Sequence, residues 1–272
     1  LKRYAANGRD AVNILQIAGG SCMSVGHSVI SRKDVEWVVS AGQYCPRYEP
    51  RTPSKPKIGF VNGLAIHGPN IGSLIEIEAV AIPVQEGTGK LVTTGLVDEE
   101  ELGGHGRIVK RKSMARGSVE NVITILRRFF SVCPENYDIH VNFPGGVALD
   151  GPSAGIGIVT AIYSAITELP VDNMLAMTGE VSILGEIRSV GGIVPKVEAA
   201  AQAGAKRVII PKENWQEAFM DRNDIRILPV GRIEEAVKIA VSNQDSTLGL
   251  LEFPAAIANP SPSSVNRYRI GC

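Results

Sequence analysis

Asp150-Gly151-Pro152-Ser153-Ala154-Gly155 runs straight into the apolar stretch Ala154 to Ile166, and this junction decides how the chain is read. Ile139-His140-Val141-Asn142-Phe143, just upstream, has the make-up of a short strand, and Pro144-Gly145-Gly146 breaks it. The apolar stretch is long enough for a helix. Ser153 therefore stands on a tight turn between strand and helix, beside the unpaired N–H groups of a first helical turn. A serine there can cap the helix. The same N–H groups can instead stabilise an oxyanion on a carbonyl that the serine attacks. Both readings are open at this point.

A nucleophilic serine needs a base. The four histidines, His27, His67, His105 and His140, all precede Ser153. Gly151-Pro152-Ser153-Ala154-Gly155 fits G-x-S-x-G, but the hydrolase fold that carries this elbow places its histidine after the serine, so chain order argues against it. A His–Asp–Ser order is not excluded by position, yet it belongs with β-barrels, and the residues after Ser153 read as helical. Lysine can replace histidine if its surroundings lower its pKa. Gly191-Gly192 makes a turn, Pro195 suits a first helical turn, and Lys196 to Ala203 reads as a helix of small residues ended by Gly204. An ammonium in a first turn is disfavoured by the helix dipole, and apolar neighbours such as Val194 and Val197 add a desolvation penalty. Taken alone, Lys196 could equally be a solvated surface lysine.

Together these segments resemble the proteolytic domain of the Lon proteases. Met177-Thr178-Gly179-Glu180-Val181, Gly185-Glu186-Ile187, Gly191 to Lys196, Ala203 to Pro211 and Arg232-Ile233-Glu234-Glu235-Ala236 follow the serine motif in the family's order. The resemblance covers about residues 58–243 and is nearest to the B-type bacterial Lon proteins. It implies Ser153 as nucleophile, Lys196 as general base and Thr178 as the residue that orients the lysine. Asp150 and Glu78 match the family's acidic positions near the dyad. A carboxylate too close to Lys196 would raise its pKa, the wrong direction for a base, so these acids are expected to gate or shape the site. The resemblance further implies a serine endopeptidase acting on unfolded or damaged proteins, a homo-hexameric ring, an upstream ATPase module and a cytoplasmic setting. It implies no cofactor or metal in this chain, with ATP and Mg used by the longer parent. An ATP-independent Lon-like peptidase and a non-catalytic binding or assembly module are the alternatives.

The 272 residues carry no net charge and are 44% hydrophobic, which fits a packed core and gives no steering toward nucleic acid or an anionic membrane. No apolar run approaches a membrane span, and no signal peptide opens the chain. The sequence begins at Leu1, as expected of a piece of something longer. Cys22, Cys45, Cys133 and Cys272 form no CxxC pair, so four ordinary thiols in a reducing compartment are expected.

Residues 1–45 read as a helical segment resembling the end of an ATPase lid. Ser31 caps its second helix with Asp34 three residues on, and Arg9 matches a nucleotide sensor of the full-length parent. Residues 46–57 hold four prolines and form an expected stiff linker. No Walker A loop is present, and Gly87-Thr88-Gly89-Lys90 reads as a hairpin turn between two strands. Strand-like runs at Ile58–Ile66, Leu74–Ile82 and Lys90–Leu96 precede a charged segment, Asp98–Arg116, expected as a long exposed loop. Val119 to Phe130 has helical spacing. Residues 58–243 thus form an α+β (mixed α/β) proteolytic domain, and 244–272 a mobile tail.

Overall fold

The computed structural model describes residues 4–5, 8–42, 44, 50–67, 71–95, 99–102, 109–112, 114–145 and 151–241. The chain divides into two compact units, Leu1–Pro50 and Arg51–Cys272. In the first, α1 (Gly8–Ser24) and α2 (Arg32–Ala41) bury Ile14 and Ala18 against Val38 and Val39. The expected cap on α2 is complete: the Ser31 hydroxyl accepts from the Asp34 N–H, and the Asp34 carboxylate accepts from the Ser31 N–H.

The second unit is built on a seven-stranded mixed sheet. Its strands are β1 (Phe60–His67), β2 (Ile71–Pro83), β3 (Leu91–Thr94), β6 (Tyr137–Asn142), β7 (Leu175–Met177), β10 (Arg207–Pro211) and β11 (Arg226–Val230), in the order β11-β10-β7-β1-β2-β6-β3. A two-stranded pair joins β4 (Glu99–Leu102) to β5 (Val109–Lys112), and another joins β8 (Glu180–Val181) to β9 (Ile187–Arg188). The helices are α3 (Met114–Phe130), α4 (Gly155–Thr167), α5 (Ile193–Gln202) and α6 (Ile233–Val241). Alternating residues of β1 and β2 divide the core, as a pleated strand requires. Val61, Ile75 and Ile77 join α3, α4 and α6 on one face. Leu64 and Leu74 join Ile193, Val197 and Ala200 of α5 on the other. The result is a sheet covered on both faces, consistent with the α+β (mixed α/β) expectation. Among the described residues no helix is long and apolar enough to cross a membrane.

Three local expectations change. The charged segment is not all loop: β4 and β5 pair antiparallel, with Glu99, Glu100 and Glu101 opposite Lys112, Arg111 and Lys110. Gly87–Lys90 is no hairpin turn, because β2 and β3 flank β6 on opposite sides instead of pairing with each other. Cys133 is disulfide-bonded, unlike the buried free thiol of Cys22. The proline-rich stretch is also bonded to the second unit from Thr52 onward, where the Thr52 N–H donates to Ala203 and Asn173 donates to the Pro53 carbonyl. The expected tail, 244–272, lies outside the described residues.

Ile77 is fully buried, and Gly63 and Gly157 make room for it: a Cβ on either would come within 2.9 Å or 2.6 Å of its Cδ1. Truncation there leaves a cavity between sheet and α4. Ile77→Ala is expected to cost about 2–5 kcal/mol in urea unfolding, whereas the exposed Ile82→Ala should cost little.

Candidate active site

Ser153 does not cap a helix. It occupies the middle of a 3-10 turn, Pro152–Ala154, that leads into α4, and neither turn nor helix has a side-chain cap. Gly151 enters the turn at φ 118, a conformation that favours glycine. The turn is pinned through its main chain. The Ser153 carbonyl accepts from the Gly179 N–H at 2.9 Å and from the Thr178 hydroxyl at 3.3 Å. The Ile156 N–H donates in return to the Gly179 carbonyl. Among the described residues the Ser153 hydroxyl has no hydrogen-bond partner, so it is left for other work.

Thr178 follows β7 and is fully buried, with its N–H donating to Ile209 on β10. Its side chain joins the two expected catalytic residues. While its hydrogen goes to the Ser153 carbonyl, its oxygen accepts from Lys196 Nζ at 3.2 Å. Lys196 sits at the end of the first turn of α5, where its N–H donates to the cap residue Gly192 at 3.3 Å. The helix begins at Ile193, three residues before the expected start. Only 3% of Lys196 is exposed. Burial pushes its pKa down to about 8. Of the two apolar neighbours expected to bury Lys196, Val197 is itself fully buried, whereas Val194 is 46% exposed.

Glu78 has other partners. Glu78 accepts from Asn142 Nδ2 at 3.0 Å, and Asn142 accepts in turn from Thr94. Neither partner belongs to the Lys196–Thr178–Ser153 set. Asp150 lies outside the described residues. Arg9 is exposed near the start of α1 in the first unit. Cys22, His27 and Asp34 bring one possible metal donor each within 4.8 Å, but the Cys22 thiol already donates to two carbonyls and Asp34 holds the α2 cap. Gly179 is the residue that sequence reasoning passed over. Its signal was its place after Thr178, and a Cβ there would meet Ile156 Cδ1 at 2.4 Å.

This arrangement joins a buried amine of lowered pKa and the main chain of Ser153 through one threonine. Residues 29–243 match the Lon protease (S16) C-terminal proteolytic domain. The chain is 46% identical over 237 residues to Lon protease 2 of Bacillus subtilis (strain 168), covering 87% of this chain and 43% of that protein. It is 33% identical over 264 residues to Archaeal Lon protease of Pyrococcus abyssi, covering 90% and 25% respectively. Against Archaeal Lon protease of Halobacterium salinarum it is 33% identical over 276 residues, covering 95% and 37%. The chain belongs to the Lon protease family through its proteolytic domain, and it spans less than half the length of these curated relatives.

The buried amine gives a test independent of activity. Its folded pKa, about 8, lies below the ordinary 10.5. Between those values the unfolded chain binds a proton that the folded chain does not, so stability rises with pH across that window. Lys196→Met removes the penalty of burying the charge. It is expected to stabilise the protein by about 1–3 kcal/mol near neutral pH, with the gain shrinking as the pH rises from about 8 and gone above about 10.5. Urea unfolding of both proteins across that range checks it.

Proposed function

We propose that this domain is a serine endopeptidase using a Ser153–Lys196 dyad to cut unfolded or damaged proteins. The observation that carries the reading is the continuous contact from Lys196 Nζ through Thr178 to the main chain of Ser153. Serine and lysine share one buried anchor, and desolvation gives the lysine the proton affinity of a base.

The steps follow from these groups. Near neutral pH a minor fraction of Lys196 is the neutral amine. Its N–H is held by Thr178, and its lone pair accepts the Ser153 proton as Oγ attacks the peptide carbonyl. On this reading the N–H groups of Ser153 and Ala154, in the turn at the head of α4, take the oxyanion. The ammonium then returns its proton to the leaving amine. Water hydrolyses the acyl-enzyme by the same relay, and the amine regains its starting state. No step in this relay calls on a metal or cofactor. Asp150 and Glu78 shape or gate the site on this reading without exchanging protons. Among the described residues, the resting Lys196 bonds Thr178 and not Ser153, so binding of a peptide or assembly of subunits must bring the two together.

At the level of the whole protein we propose a homo-hexameric ring that encloses the serines, fed by an upstream ATPase module in which ATP and Mg act and to which Arg9 contributes. The setting we propose is cytoplasmic. The disulfide at Cys133 pulls against it, because that compartment keeps thiols reduced. Recovery of Cys133 as a free thiol after lysis under alkylating conditions supports the cytoplasm, and recovery as a disulfide moves the protein elsewhere.

Hydrolysis of a fluorescently labelled unfolded protein tests the dyad. Ser153→Ala and Lys196→Ala should each lower kcat by more than about a thousandfold with folding intact. The rate should rise with pH and level off above about 8, as Lys196 loses its proton. Turnover retained in both variants would overturn the reading.

A further inference from the structure

The sheet beneath the first turn of α5 is stepped, and the step lies under the lysine. Resting on the assignment of Lys196 as the base, we propose that the cross-strand pair Ile66 and Gly72 is a positioning device that sets the height of that base above the sheet. The two residues stand opposite each other in the β1–β2 pairing.

They act on α5 in opposite ways. A Cβ on Gly72 would lie 2.0 Å from the Pro195 carbonyl oxygen, 2.5 Å from its carbon and 3.0 Å from the Lys196 nitrogen. All three are backbone atoms, so no flexible side chain can yield. The missing side chain lets the helix sink. Ile66 does the reverse: a Cβ on Gly192 would lie 1.7 Å from Ile66 Cδ1. That methyl props the cap residue of α5, which stands in the left-handed region at φ 61. The pair thus touches both ends of the first hydrogen bond of the helix, from the Lys196 N–H to the Gly192 carbonyl.

The rest of α5 does not depend on this step. Ile193, Val197 and Ala200 pack against Leu64, Ala176 and Val208, a cluster large enough to hold the helix with either residue changed. The dependent feature is the contact at the end of the lysine side chain. Nζ reaches Thr178 Oγ1 at 3.2 Å, near the long end of a hydrogen bond, so a small rise of the first turn breaks it. A raised turn would also open the buried amine to water.

Gly72→Ala and Ile66→Val test the proposal, the second removing only the methyl under Gly192. Two quantities are read: kcat and KM on the labelled unfolded protein, and the pH midpoint at which an amine-selective acylating reagent modifies Lys196, followed by mass spectrometry. Gly72→Ala is expected to lower kcat about tenfold or more with KM changed less than about twofold. Its acylation midpoint should move up from about 8 toward that of an ordinary lysine. Ile66→Val, which removes the prop instead of raising the turn, should lower kcat by less and move the midpoint the other way, below that of the wild type. A pair of folded variants with wild-type kcat and wild-type midpoint overturns the proposal. If Gly72→Ala does not fold, Ile66→Val decides alone. Ser153→Ala and Lys196→Ala in the same assay separate the two claims: turnover retained there refutes the dyad, while the acylation midpoint still reports on the seat.

Discussion

The hydroxyl of Thr178 is the point on which the site depends. It has one hydrogen to donate and lone pairs to receive with, and both functions are engaged. The hydrogen goes to the carbonyl of Ser153 and the oxygen takes the Lys196 amine. Ser153 and Lys196 come from elements on opposite faces of the sheet, the turn into α4 and the first turn of α5. A single buried side chain at the end of β7 brings them into one frame. Its own backbone is bonded to β10, so the anchor is as rigid as the sheet.

The two cores explain why the amine loses its proton so readily. One cluster fills the space between the sheet and α3, α4 and α6, and the other fills the α5 side. Lys196 lies on the inward side of α5, beside Val197, where a charge cannot keep its water. Desolvation lowers its pKa. Glu78 fits this picture, since it is tied to Asn142 and contributes no opposing pull on the lysine.

Much of the fold was legible in local pattern. The capping box at Ser31 and Asp34, the helix after Ser153 and the strand run from Leu74 to Ile82 each follow from residues near one another in sequence. What could not be read was long-range. Gly87–Lys90 has the composition of a hairpin turn, yet β6, about fifty residues later, inserts between the two strands. Glu99–Leu102 and Val109–Lys112 pair antiparallel, a pairing that hydrophobic periodicity does not report. The site divided in the same way. Ser153, Thr178 and Lys196 stood in recognisable motifs. The Ser153 carbonyl's tie to Gly179 and the seat at Ile66 and Gly72 are main-chain and space-filling contacts that leave no residue-type signature.

On the proposed reading, a base kept from solvent sets a condition on the second half of the reaction. Packed side chains keep solvent from Lys196 and lower its pKa, yet releasing an acyl group from Ser153 would require a water molecule within reach of that amine. Solvent would then have to enter after the first product has left, and the peptide still attached would keep the rest of the liquid out. Turnover in such a site would be metered by hydration, and a substrate that fits loosely would raise the pKa of the lysine and slow its own cleavage.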